Sequence, residues 1–155
     1  MQGKIQEKAG NVSFAQAFKD FFKGYADFKG HSTRGGFWWV QLQAFLFGIA
    51  FGIILGVASI CASDTLVGAI GLIFGLALIA IIIPSFALAF RRLRDVGFST
   101  AGILTIFIAY IVLAILGEAV KFFSWVAIAI SILMWICYVL PSDMLKGKLG
   151  FMTEK

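Results

Sequence analysis

The segment LVGAIGLIFGLALIAIIIPSFALAF, residues 66–90, contains no charged side chain and is followed at once by Arg91, Arg92 and Arg94. A run of this length is typical of a helix that crosses a bilayer, because a hydrocarbon core of about 30 Å needs roughly 20 helical residues. Three further apolar segments, 37–62, 101–117 and 122–140, also lack Asp, Glu, Lys, Arg and His. The sequence therefore predicts an all-α, polytopic membrane protein with four transmembrane helices.

The composition agrees with this class of protein. Hydrophobic residues make up 61% of the chain and charged residues 14%, and the mean hydropathy is +0.96. Basic residues beside membrane spans act as orientation signals and contact anionic headgroups, so the formal charge of +5 needs no nucleic-acid partner. The expected partners are membrane lipids with anionic headgroups, together with a further copy of the chain or another membrane protein.

The distribution of Lys and Arg predicts the orientation. Six basic residues precede the first span, three lie between the second and third spans, and three follow the fourth. Lys121, between the third and fourth spans, is the exception. Because short connections rich in Lys and Arg stay cytoplasmic, both termini and the middle connection are expected in the cytoplasm.

The segment before the first span has its own pattern. Residues 1–12 are expected to form a flexible tail, and residues 13–30 a short amphipathic interfacial helix with Ser13 as its cap. Its aromatic face fits either the headgroup layer or the ends of the spans, and both alternatives stay open. Residues 31–140 form the predicted transmembrane domain, and residues 141–155 a basic cytoplasmic tail.

Neither a cofactor nor a metal is expected. Cys61 ends the first span and Cys137 lies near the other end of the fourth, so a bilayer separates them and no intrachain disulfide is predicted. His31 is the single histidine. Since the sequence contains no complete catalytic or metal-binding constellation, an enzyme is the least supported class.

Two features inside the spans predict how the helices pack. Glycines spaced four residues apart allow close approach of helices, within one chain or between two protomers; they are Gly48, Gly52, Gly56, Gly71 and Gly75. Pro84 removes a backbone donor and is expected to kink the second span.

The sharpest polar signal is the connection between the second and third spans. Asp95 lies four residues after Arg91 and three after Arg92, so it can pair with one of them on a continuing helix. Gly97 permits a turn, and Ser99 or Thr100 can cap the third span. The motif predicts either a charged turn that fixes topology or a contact with a lipid headgroup or partner through Arg34, Arg91, Arg92, Arg94 and Asp95.

These residues also carry a family resemblance. Tyr25-x-Asp27-Phe28-x-Gly30, with Ser32-x-Arg34 and Phe37-Trp38, and the later Arg91-Arg92-Leu93-x-Asp95-x-Gly97-x-Ser99, resemble the bacterial inner-membrane family catalogued as domain of unknown function 805. The resemblance runs from about residue 14 to the end of the fourth span. It implies a small four-span inner-membrane protein without an established activity. The chain departs from the family pattern where Gly36 replaces an acid, His31 an arginine and Arg94 a histidine, which implies a more positive cluster here.

The sequence is compatible with two functions. The favoured one is a non-enzymatic scaffold or an accessory module associated with anionic lipid, because two basic-aromatic motifs lie on one predicted membrane face. The alternative is a small channel or carrier for a solute or anion, suggested by Pro84, the glycine faces and the cationic rim.

Overall fold

Four long apolar helices and one short helix build the protein. The computed structural model describes residues 5–7 and 12–153. The helices are α1 (Phe14–Lys23), α2 (Arg34–Cys61), α3 (Asp64–Val96), α4 (Thr100–Ala119) and α5 (Lys121–Val139), followed by a 3₁₀ turn at Gly150–Met152. Within the described residues there are no strands, and the last four α-helices are each long and apolar enough to cross a membrane.

Local capping sets where these helices begin. The side chains of Ser13, Thr33 and Ser99 accept hydrogen bonds from backbone N–H groups three residues on, at the starts of α1, α2 and α4. Gly97 ends α3 with a φ of 114°, a left-handed conformation that glycine adopts without strain. The sequence-predicted caps at Ser13 and Ser99 and the turn at Gly97 are confirmed.

The interfacial helix is shorter than predicted. It ends at Lys23 rather than near residue 30, because Gly24 closes it and lies tightly against Arg91 of α3. Residues 24–33 then turn back toward the start of α2. Ala17 and Phe21 are buried, whereas Phe14, Phe18 and Phe22 are exposed. One apolar face of α1 therefore packs against the rest of the protein, and a second apolar face points away from it.

The spans form two hairpins. In the α2–α3 hairpin the rings of Phe51 and Phe74 stack with centroids 3.6 Å apart. In the α4–α5 hairpin the Ser124 hydroxyl donates to the Gly117 carbonyl oxygen at 3.0 Å. Across the most apolar stretch of α2 and of α3, no residue is buried inside the protein. The two hairpins leave most of this surface to lipid.

The buried core lies at one end of the spans, which we call the basic face. This end carries residues 5–7 and 12–34, the α3–α4 connection and residues 141–153. Phe37, Leu93, Val96, Ile103 and Tyr138 are among its buried side chains. Helices within the hydrocarbon layer gain no hydrophobic energy by associating, whereas segments in contact with water do. Buried side chains are therefore concentrated at the basic face.

Candidate functional site

The length of α3 places its arginines beyond the apolar stretch. Its 33 residues extend about 50 Å, more than the thickness of the hydrocarbon core. The charged end projects into the basic face, where segments from both ends of the chain surround it. Arg91 and Arg92 are each 0% exposed. These two consecutive buried arginines form the centre of the candidate site.

Arg91 faces the N-terminal half of the chain. Its Nη1 donates to the Asp20 carbonyl oxygen at 3.3 Å, and its backbone carbonyl oxygen accepts from the Ser32 N–H at 3.3 Å. Burial removes the hydration of the cation, and the nearby carboxylates of Glu7, Asp27 and Asp20 offset part of that cost. Nε and Nη2 of Arg91 have no hydrogen-bond partner among the described residues.

Two glycines make room for Arg91. A Cβ at Gly24 would overlap its guanidinium group, and a Cβ at Gly30 would overlap the Ile5 carbonyl oxygen. Both glycines are buried. The glycine of the Tyr25–Gly30 motif is therefore explained by close approach of the backbone to Arg91 and to residues 5–7.

Glu7 is a site residue that the sequence analysis missed. Its carboxylate accepts from the Ser32 hydroxyl at 2.8 Å, the Thr33 N–H at 2.9 Å and the Thr33 hydroxyl at 3.0 Å. It lies at the positive N-terminal end of α2 and against Gly36, where a Cβ would overlap it. The family resemblance implies an acidic residue at position 36. This chain has a glycine there, and the Glu7 carboxylate occupies the space that a side chain at position 36 would enter.

Residues 5–7 therefore differ from the flexible tail that was predicted for residues 1–12. Ile5 is 4% exposed, its N–H donates to Asp27 Oδ2 at 2.8 Å, and its carbonyl oxygen accepts from the His31 N–H at 3.0 Å. The reason is that Glu7 accepts hydrogen bonds from the start of α2 and places a carboxylate near the buried Arg91 cation. Residues 1–4 and 8–11 lie outside the described residues.

Arg92 faces the C-terminal half of the chain. Nε donates to the Tyr138 carbonyl oxygen at 3.1 Å, Nη2 to the Leu140 carbonyl oxygen and Nη1 to Asp95. The cation thus caps the negative C-terminal end of α5. Asp95 also accepts from the Ser142 hydroxyl at 2.7 Å. The predicted pairing of Asp95 with one of the two arginines is made with Arg92.

Residues 141–153 fold over the α3–α4 connection. The Asp143 N–H donates to the Asp95 carbonyl oxygen at 2.7 Å, and the Leu145 N–H to that of Val96 at 3.0 Å. The Ser99 N–H donates to the Met152 carbonyl oxygen at 2.9 Å. These contacts use backbone atoms of the tail, so the sequence of residues 141–153 gives no signal of them.

The other predicted contact residues occupy the surface. Arg34 is exposed, and the half-buried Arg94 donates from Nη1 to the Thr100 hydroxyl at 2.7 Å. Contact of the five predicted residues with lipid or a partner stays a prediction. The structure shows internal hydrogen-bond partners for Arg92, Asp95 and one nitrogen of Arg91. These three residues therefore hold the basic face together.

The glycine ridges do not pack within the chain. A Cβ at any of Gly48, Gly52, Gly56, Gly71 or Gly75 would meet no atom within 4 Å. The physical reason is that α2 and α3 touch through other faces, including the Phe51 and Phe74 rings. Packing between protomers through these glycines stays a prediction.

Pro84 is buried in α3, and an open groove lies beside it. The groove has a volume of about 300 Å³ and separates the two hairpins near the basic face. Residues of three helices line it: Ile81, Ile82, Ser85, Phe86 and Ala89 of α3, Phe107 of α4 and Tyr138 of α5. Among the described residues no group of three or more His, Cys, Asp or Glu side chains is placed to hold a metal ion.

Four apolar helices joined by a charged, folded basic face define a multi-pass α-helical membrane protein. A family model described as "Protein of unknown function (DUF805)" matches residues 25–148, which is most of the chain. The chain belongs to this family. No curated protein and no solved structure matches the chain.

Proposed function

We propose that this protein is a non-enzymatic module of the bacterial inner membrane that associates with anionic phospholipid at its cytoplasmic basic face. The observation that carries the proposal is the outward surface of α1. Phe14, Phe18 and Phe22 form an exposed aromatic stripe, and the exposed Lys19 and Lys23 follow it around the helix. An apolar stripe flanked by cations suits the boundary between acyl chains and anionic headgroups.

The neighbours of α1 support the same placement. The Phe14 and Trp39 rings contact edge to face at 5.8 Å, and the Phe18 and Phe47 rings lie 6.3 Å apart. Trp39 and Phe47 are exposed residues of α2, a membrane-spanning helix. The aromatic stripe of α1 is thus continuous with the lipid-facing surface of a span, at the end where tryptophan favours the interface.

Burial decides which cations serve this contact. Arg91 and Arg92 are enclosed by the chain, whereas Lys19, Lys23, Lys29 and Arg34 are exposed on the same face. The buried pair supports a scaffold role, because its hydrogen bonds hold together the face on which these cations are exposed. The second hypothesis, a small channel or carrier, stays a prediction.

The test is binding of phosphatidylglycerol to purified protein, measured by native mass spectrometry. Lys19→Gln with Lys23→Gln is expected to weaken binding roughly thirtyfold, at about 1 kcal/mol per charge. Lys146→Gln with Lys148→Gln is the matched control, since it removes two exposed charges from the same face away from α1. Equal weakening by both pairs would show a nonspecific charge effect and would contradict the proposal.

A further inference from the structure

Tyr25 supplies a hydrogen bond that Pro84 has removed from α3. The Tyr25 hydroxyl donates to the carbonyl oxygen of Ala80, across 55 residues of sequence. Ala80 lies four residues before Pro84, so its carbonyl is the one that loses its helical N–H donor. An unsatisfied carbonyl costs several kcal/mol where no water is available. The Tyr25 hydroxyl donates to this carbonyl oxygen in place of the missing backbone N–H.

The segment that carries Tyr25 is anchored at both ends. At its start, Trp39 Nε1 donates to the Val12 carbonyl oxygen at 3.1 Å and Gln43 Nε2 to that of Phe14 at 2.6 Å. After Tyr25, the Phe28 ring contacts the Phe90 ring edge to face at 5.3 Å. The segment 12–28 therefore bridges α2 to α3, and Tyr25 contacts α3 at the carbonyl oxygen that Pro84 leaves without its helical donor.

The same part of α3 forms one wall of the groove between the hairpins. Ile81, Ile82 and Ser85 flank Pro84 and line that wall, and Phe107 and Tyr138 lie on the other two helices. After Pro84, α3 contributes Leu88, Phe90, Leu93 and Val96 to the core of the basic face, whereas the most apolar stretch of α3 is unburied. A change in the direction of α3 at Pro84 would therefore move the part of α3 before Pro84, together with the α2 helix that packs on it, and change the width of the groove.

We propose that the hydrogen bond from Tyr25 to Ala80 is a joint that fixes the bend of α3 at Pro84, so that displacement of α1 changes the width of the groove. The joint couples the membrane-surface helix to the separation of the two hairpins. The trigger for such a displacement rests on the proposed lipid contact of α1, whereas the joint itself rests on the geometry of Tyr25, Ala80 and Pro84.

A mutant cycle in nanodiscs tests the joint. Its members are the wild type, Tyr25→Phe, Pro84→Ala and the double variant, all carrying Cys61→Ser and Cys137→Ser. Nitroxide labels on Leu76→Cys of α3 and Ile115→Cys of α4, both at exposed positions, report the separation of the hairpins by pulsed electron paramagnetic resonance. Tyr110→Phe, at an exposed tyrosine of α4, is the matched control.

Tyr25→Phe is expected to shift and broaden the distance distribution, because Ala80 then loses its donor. In the Pro84→Ala background the new N–H group supplies that donor, so adding Tyr25→Phe is expected to change nothing further. A Tyr25→Phe protein that fails to fold but is rescued by Pro84→Ala supports the joint equally. An unchanged distribution in Tyr25→Phe, or the same shift in both backgrounds, would overturn it.

Repeating the distances with and without phosphatidylglycerol separates this inference from the proposed function. A lipid-dependent shift that is lost in Lys19→Gln with Lys23→Gln supports the proposed contact of α1. A positive mutant cycle without any lipid dependence keeps the joint and removes lipid binding as its trigger, whereas loss of the proposed lipid contact would show in the binding measurement.

Discussion

Arg91 and Arg92 are consecutive residues with different partners. On a helix they point about 100° apart, which directs Arg91 toward α1 and the N-terminal segment and Arg92 toward the end of α5. Neighbouring positions on α3 thus tie the two halves of the basic face to one helix. A buried cation needs charged or carbonyl partners, and Arg92 makes three such hydrogen bonds.

Replacing Arg92 should therefore be strongly destabilising. Arg92→Gln leaves the Asp95 carboxylate buried without its cation, and the loss is expected to be about 3–5 kcal/mol. Thermal unfolding of the purified protein measures it. Adding Asp95→Asn should recover part of the loss, because the unpaired charge is then gone.

The exposed Arg34 provides the control for this substitution. Arg34→Gln is expected to change the stability by no more than about 0.5 kcal/mol. A melting temperature for Arg92→Gln equal to that of Arg34→Gln would refute the role assigned to the buried pair.

Among whole elements, two glycines that look alike in sequence differ in their surroundings. Gly52 belongs to the ridge of α2 and has open space around it, whereas Gly102, in the first turn of α4, lies against the backbone of Met152. The difference depends on whether another segment crosses the helix, which spacing along the chain does not report. The C-terminal segment crosses α4 and leaves the α2 ridge free.

Alanine substitution distinguishes these surroundings. Gly102→Ala should displace residues 149–153 from α4, because the Cβ would overlap the Met152 backbone. Hydrogen exchange at the Ser99 N–H, which donates to Met152, should become faster. Gly52→Ala should leave that exchange unchanged and stabilise α2 by up to about 1 kcal/mol through helix propensity. An increased exchange rate of the Ser99 N–H in Gly52→Ala, or an unchanged rate in Gly102→Ala, would contradict this account.

The whole molecule consists of two hairpins held together at one end. Its N-terminal segment, the α3–α4 connection and its C-terminal segment all meet at the basic face. The α2–α3 turn and Lys121 lie at the other end of the spans. Among the described residues, nine Lys and Arg residues therefore lie at the basic face and one, Lys121, at the other end.

This asymmetry predicts which end is cytoplasmic. In a background with Cys61→Ser and Cys137→Ser, Thr65→Cys should react with a membrane-impermeant maleimide on intact spheroplasts. Lys148→Cys, at the exposed C-terminal segment, should react only after lysis. The reverse labelling pattern would refute cytoplasmic termini.

Much of the fold could be predicted from the sequence, since the relevant signals are local. Uncharged runs predict the spans, Ser13 and Ser99 predict caps, and Gly97 predicts the turn after α3. The pairing of Asp95 with an arginine follows from helical spacing. The length of α1 was overestimated, because its end depends on Gly24 meeting Arg91, which lies 67 positions further along the chain.

The candidate site was predicted only in part. Arg91, Arg92 and Asp95 stood out as a charged motif, but their burial depends on segments from both ends of the chain. Glu7 and Tyr25 meet their partners across 25 to 55 residues of sequence, and single residues in a basic or aromatic context give no signal of such contacts. The backbone contacts of residues 141–153 have no side-chain signature at all.

The sequence by itself determined the four spans, the caps at Ser13 and Ser99 and the concentration of charge at one end, because bilayer thickness and helix geometry act on contiguous residues. Only the tertiary structure decided that the two arginines are buried, that Tyr25 completes the helix at Pro84 and that the glycine ridges face outward. Hydrocarbon gives no hydrophobic drive between helices, so the apolar pattern does not specify their contacts. At the basic face polar groups such as Glu7 and Arg92 fix contacts instead, because they bind partners from distant parts of the chain.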